Sequence, residues 1–169
     1  MRQLGYFLLM VAGLLSLLVL PLRTAFAESK EGGLGQDQAR VTEIVGEAFY
    51  QKVGTKEWKV LVKDFVLVEG DAVRTGKDSQ LKLAMGGDQK IAEVLLKKES
   101  QFSFKDFRHD AKTKSDTTLL NLEMGSVLVN AAKMPKESKF QVKTPTSIVG
   151  IRGTKFEVNV ERASSSKTS

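Results

Sequence analysis

The sequence predicts an all-β fold: a single twisted domain of many short strands, curled into a solenoid-like roll, with a β-sandwich or jelly roll as the alternative architecture. Three observations predict it. From Arg40 onward, short runs rich in Val, Leu, Ile and Phe alternate with Gly, Asp, Lys and Ser. Residues 80–85 alternate strictly, with Leu81, Leu83 and Met85 on one side and Gln80, Lys82 and Ala84 on the other, as a half-buried strand requires. No stretch keeps a period of 3.6, and the Thr and Asn content of 111–122 opposes helix.

The strands are expected in the following order. The first covers 41–50, with Gly46 inside it as a bulge. Strands at 58–62, 65–68 and 71–75 follow, the last bounded by Gly70 and Gly76. Strand 80–85 ends at Gly86-Gly87-Asp88, a hairpin-type turn whose glycines accept positive φ. Strands 91–96 and 101–104 come next, and Phe102 and Phe104 share a face of the second. Residues 105–115 are dense in charge and are expected to form an exposed loop, which places the single histidine, His109, in solvent. Residues 118–123 and 126–130 are expected to pair around Met124-Gly125. A polar connection at 131–138 leads to closing strands at 140–143, 147–151 and 154–160. The similarity of Ile44-Val45-Gly46 to Ile148-Val149-Gly150 is ordinary strand chemistry rather than a repeat.

The ends of the chain have other roles. Arg2 precedes an uncharged apolar run at 6–20, Pro21 breaks it, and Ala25-Phe26-Ala27 is an A-x-A cleavage pattern. Residues 1–27 are therefore expected to be a signal peptide cleaved after Ala27, with an uncleaved inner-membrane anchor as the alternative. Residues 28–39 are a polar, glycine-bearing lead-in, 40–161 the β domain, and 162–169 a serine-rich disordered tail. The export signal places the protein in the periplasm or outside the cell, with no stable membrane insertion once the leader is removed.

Composition excludes several functions. The net charge is +6, part of it carried by Arg2 and Arg23 of the leader, and the basic residues are scattered rather than clustered, so no nucleic-acid partner is expected. The chain has no cysteine, which removes disulfides, thiolate metal sites and thiol catalysis. One histidine supports neither a metal site nor a Ser-His-Asp set. Phosphate-cradling and calcium loops have no counterpart in the sequence. The expectation is a protein that is not an enzyme and takes no cofactor or metal.

The most specific stretch is Thr144-Pro145-Thr146-Ser147-Ile148-Val149-Gly150-Ile151-Arg152-Gly153-Thr154-Lys155-Phe156. Gly150 and Gly153 bracket Ile151-Arg152 between two strand candidates and allow a sharp turn there, with Ile151 buried. Arg74, in Val73-Arg74-Thr75-Gly76, stands in a similar context. Two roles are open to these arginines. They brace strand ends by satisfying carbonyls or a carboxylate, or they form an anion-recognition patch through their bidentate donors. Trp58 is likewise open between core or rim packing and a ligand platform. Asp71, beside Gly70, suits a turn-capping role.

In order along the chain, these pieces resemble the FecR domain. Trp58 and Leu61, followed by Gly70-Asp71-Ala72-Val73-Arg74-Thr75, are similar to its "W-x-x-L … G-D-x-[apolar]-[RK]-T" element. The strands that begin at Ser79 and Ser100 match its paired "S-x-[apolar]-x-[apolar]" segments, and Leu122-Glu123-Met124-Gly125-Ser126-Val127 its "L-x-x-G-x-[apolar]". Thr144-Pro145 with Gly150, Gly153, Thr154 and Phe156 closes the pattern, and the whole spans 41–160. The segment 88–96 is longer than the family's usual turn and strand there.

The resemblance implies a non-catalytic, exported binding or scaffold module that acts in the cell envelope through an envelope or extracellular protein partner. A sensor for a small anionic ligand or glycan, with Arg152, Arg74 and Trp58 at its site, is the alternative. Sigma-factor regulators of the family resemble a cytoplasmic helical segment joined to a membrane helix and the periplasmic module. Only five residues precede the apolar run here, so direct control of a sigma factor is not expected.

Overall fold

Alternation of apolar and polar residues builds the sheet, since each strand turns every second side chain toward one shared interior. The computed structural model describes residues 34–87, 90–151, 153 and 155–161. The expected leader at 1–27, Asp88 of the expected turn, and the expected tail at 162–169 lie outside the described residues. The described strands are β1 (Ala39–Val45), β2 (Ala48–Gln51), β3 (Lys59–Val60), β4 (Val66–Leu67), β5 (Ala72–Thr75), β6 (Gln80–Met85), β7 (Ala92–Leu96), β8 (Gln101–Asp110), β9 (Ser115–Ala131), β10 (Lys139–Lys143), β11 (Ile148–Ile151) and β12 (Lys155–Val160). The fold is all-β, as the sequence predicts, and the curl takes the form of a half-barrel.

The sheet runs β3-β2-β5-β8-β9-β7-β6-β1-β4, with β9 at its centre. The first half of β9 lies between β8 and β10, and the second half between β7 and β12. β10 runs parallel to β9, from Lys139 opposite Thr117 to Lys143 opposite Asn121, and carries β11 on its far side. One half of the sheet holds β2, β3, β5, β8, β10, β11 and the first part of β9, the other β1, β4, β6, β7, β12 and the second part of β9. Phe102, Phe104, Phe140, Leu81, Leu83, Met85 and Val129 are fully or almost fully buried in the core they share. Phe102 meets Phe104 edge-on with centroids 5.1 Å apart, and Phe107 stacks on Phe104 at 5.5 Å.

The halves meet along a polar seam with a repeated design. At Gly46 (φ +75°) the chain leaves β1 and enters β2, which pairs in the other half of the sheet. A Cβ at Gly46 would overlap Ser79, whose hydroxyl accepts the Glu47 N–H at 2.9 Å and donates to the Lys77 carbonyl at 3.1 Å. At Gly125 (φ +85°) β9 makes the same crossing. A Cβ there would overlap Ser100, whose hydroxyl accepts the Ser126 N–H at 2.9 Å and donates to the Lys98 carbonyl at 2.9 Å. Both serines follow a left-handed acidic residue, Asp78 (φ 56°) or Glu99 (φ 50°). They stand in matching segments, Lys77-Asp78-Ser79-Gln80-Leu81 and Lys98-Glu99-Ser100-Gln101-Phe102. Between them the Thr75 N–H reaches the Ser100 carbonyl at 2.9 Å, and the Glu99 N–H reaches the Gly76 carbonyl at 3.1 Å.

Four expectations are corrected. The strand expected over 41–50 is two strands, because Gly46 turns the chain across the seam instead of bulging within one ladder. The pair expected around Met124-Gly125 is one continuous strand of 17 residues, because Gly125 bends β9 without reversing it. The loop expected over 105–115 shrinks to the turn between β8 and β9. There Phe107 is buried against Phe104 while Lys105 and Arg108 face solvent, so the charges belong to the outer face of a strand. His109 is accordingly a strand residue, its Nδ1 2.8 Å from Asp116 Oδ1. β1 also begins two residues before the expected first strand: Ala39, assigned to the lead-in, is fully buried in it.

Several exposed carboxylates are tuned by their strand neighbours. Asp110 accepts the Lys112 and Thr113 N–H groups, and these backbone bonds hold its carboxyl below the ordinary range. Glu157 of β12 is held below that range by Lys97 Nζ at 2.7 Å and then by the Ser126 hydroxyl at 2.7 Å.

The seam sets a stability expectation. Ser79→Ala and Ser100→Ala should each lower the urea-measured unfolding free energy by about 1–3 kcal/mol, because each strands a seam N–H. Gly125→Ala should cost more than either, as it adds left-handed strain to the overlap; an unchanged urea midpoint would contradict the seam's role.

Acid supplies a second check. Glu157 has a folded pKa below its unfolded value, so its contribution is complete above the usual carboxylate range and is lost as pH falls through the folded pKa. In thermal melts across that acidic window, Glu157→Gln should lose less of its midpoint than the parent does.

Candidate functional site

Strand alternation turns Val73 and Thr75 of β5 inward, and Arg74 between them faces out. The registers place Val60, Phe49, Arg74, Gln101 and Met124 directly opposite one another, in that order, across β3, β2, β5, β8 and β9. Direct partners in antiparallel ladders share a face, so these five form one row on the outer surface. Trp58, two residues before Val60, falls on the same face.

The row is organised around one cation. The Arg74 guanidinium carbon lies 5.1 Å from the Phe49 ring centroid and 4.5 Å from that of Trp58. Both distances are in the cation–π range. Among the described residues no carboxylate lies within ion-pair reach of Arg74. Gln101 spends its amide N–H on Glu123. Where the row meets the seam, Phe49, Arg74, Lys77, Glu99, Gln101 and Met124 wall an open groove of about 400 Å³, with Thr75, Gly76 and Ser100 beneath.

Asp71, next to this row in sequence, is fully buried. Its carboxylate accepts Lys52 Nζ at 2.7 Å, the Val68 N–H at 3.1 Å and the Val53 N–H at 3.4 Å. Lys52 in turn lies 5.2 Å from the Phe65 ring centroid. One carboxylate thus ties the loop after β2, which carries Trp58, to the turn before β5. Gly70 (φ +86°) stands against the Val53 side chain, where a Cβ would collide.

The closing signature builds an edge. Thr144 is nearly buried, and its hydroxyl accepts the Thr146 and Ser147 N–H groups at 3.3 and 3.0 Å, forming the turn that holds Pro145 between β10 and β11. Gly150 lies in β11, where a Cβ would meet nothing within 4 Å, so the turn expected at this glycine is absent. Gly153 does turn (φ +69°), beside the Lys133 backbone, and Phe156 is half-buried opposite Val129. Ile151 is half-buried rather than buried. Arg152 and Thr154 lie outside the described residues, so of the expected patch only Arg74 and Trp58 are placed, and they are in contact.

Among the described residues, β11 pairs on one side only, with β10. Its residues are Ile148, Val149, Gly150 and Ile151, and Ile148 is 60 % and Val149 36 % exposed. The other terminal strands differ: β3 carries Lys59, β12 carries Lys155 and Glu157, and β4 has two residues. Charge and shortness are the usual protections of a free edge, and β11 has no charge.

Sequence reasoning singled out Arg74 and Trp58 but not Phe49, Gln101 or Met124. Their only signal is cross-strand register, which single-strand patterns do not contain. Among the described residues, no group of three or more His, Asp or Glu is placed to hold a metal ion.

Comparison with known proteins gives one match: the sequence model of the family described as FecR protein covers residues 71–169. No curated protein and no solved structure matches the chain.

Two substitutions separate the buried acid from the surface cation. Asp71→Ala should cost about 2–3 kcal/mol in urea unfolding, since it leaves two loop N–H groups and an ammonium without their acceptor. Arg74→Ala should cost about 1 kcal/mol. It should also shift the emission of Trp58, the only tryptophan of the chain, to the red. An unshifted spectrum would mean that the two side chains are not stacked in solution.

Proposed function

The chain belongs to the FecR protein family, and on that premise we propose that it is a non-catalytic exported module that holds a protein partner in the cell envelope. The observation that carries this reading is the uncharged edge of β11. Natural sheets blunt such edges, because free N–H and C=O groups beside apolar side chains recruit further strands. Here Ile148 and Val149 present apolar side chains on the two faces of the same edge. That arrangement suits an extended partner segment added as a new strand, with backbone hydrogen bonds giving affinity and the side chains giving selectivity. The partner strand would itself be apolar at alternate positions. The leader pattern, Arg2 with the apolar run and Ala25-Phe26-Ala27, supports the assignment to the periplasm or cell exterior.

Capture of envelope proteins by the parent and by Ile148→Lys tests the reading. Lysine on the edge opposes strand addition, and Ile148 is exposed enough that the fold should persist, as circular dichroism can verify. The proposal expects a partner captured by the parent to be lost with Ile148→Lys and retained with an exposed substitution away from β11, such as Lys63→Ala. Equal capture by parent and Ile148→Lys would overturn it. Amino-terminal sequencing of the exported protein should begin at Glu28.

A further inference from the structure

The geometry points to a second site, lined by no residue of β11: the groove at Arg74 binds a monoanionic saccharide, a uronate-type sugar whose carboxylate meets the guanidinium. Contact with the Trp58 and Phe49 rings restrains the Arg74 guanidinium. A guanidinium so oriented matches a planar carboxylate in two parallel hydrogen bonds. No described acid occupies that position within ion-pair reach. Much of the ordering cost of a long cationic side chain is therefore met before a ligand arrives.

The remaining walls narrow the class. Lys77 adds a second cation and Glu99 an acid, so the walls at neutral pH carry one net positive charge, which suits a single carboxylate better than a dianion. With its N–H committed to Glu123, Gln101 keeps its carbonyl oxygen for a hydroxyl donor. Phe49 and Met124 give apolar surface for the C–H face of a ring. The volume, about 400 Å³, is that of a small-ligand site, and its open side leaves room for a sugar within a longer chain.

Titration of the full chain with glucuronate, followed by Trp58 emission and by amide shifts of Phe49, Gly76 and Gln101, tests the inference. Saturation with a Kd of about 1 mM or tighter is expected. Glucose should give no response, and acetate should bind at least about tenfold more weakly. Arg74→Lys keeps the charge but loses the fork, and should weaken binding at least about tenfold. Should that variant fail to fold, Lys77→Gln serves instead, with weakening of about threefold or more. Ile148→Lys should bind as the parent does, which separates this site from the β11 edge. No saturation by the parent, equal binding of acetate, or full binding by a folded Arg74→Lys or Lys77→Gln variant would each overturn the inference.

Discussion

Everything in this fold depends on two serine hydroxyls standing where glycine has no side chain. Ser79 against Gly46 and Ser100 against Gly125 let two strands cross from one half of the sheet to the other without losing their hydrogen bonds. Each hydroxyl accepts from the crossing strand and donates to its own turn, so it stands in for a missing rung of the ladder. A bend of this kind would otherwise leave part-buried N–H groups without protein acceptors, at a cost of about 1–3 kcal/mol each. Because the seam is satisfied, the two halves can close on a common interior of Phe, Leu and Val.

The seam also decides what lies on the outside. It fixes the register of β5, β8 and β9, and register alone brings Phe49, Arg74, Gln101 and Met124 into line. A slip of one residue would turn Arg74 into the core and Val73 into solvent. Asp71 complements this from the opposite end of β5. Its buried carboxylate holds the loop that delivers Trp58 to the guanidinium. The outer row and the interior are thus two faces of the same strands, each positioned by polar groups that never reach the surface.

Much of this was legible in the sequence, and the limits have physical causes. Period-two alternation located β6, β7 and β10 closely, because each has one wet and one dry face. Where both faces of a strand look polar, as from Lys105 to Asp110, charge mimics a loop and only Phe107 betrays the buried side. A glycine inside a strand was recognised as special at both 46 and 125, but local chemistry does not say whether such a residue bulges, reverses or bends the chain. The answer lies in a serine more than 20 residues away in sequence. The repeat of Lys-acid-Ser-Gln was visible as letters. Its meaning, two copies of one corner, required both partner strands. Arg74 and Trp58 could be named as candidates from the chain alone; that they stack on one another could not.

The position of β9 has a consequence for how the protein is made. β10 and β12 together pair with residues 117–121 and 125–130, most of one flank of its 17 residues. Both strands follow β9 in the chain, so a ribosome delivers them after it. Until the chain through Val160 is in place, β9 is a long strand bare on one side, with Leu120, Leu122, Val127 and Val129 on its buried face, open to whatever strand arrives first. The amino-terminal strands can assemble among themselves while they wait, but the protein stays vulnerable to misassociation until β12 closes that flank.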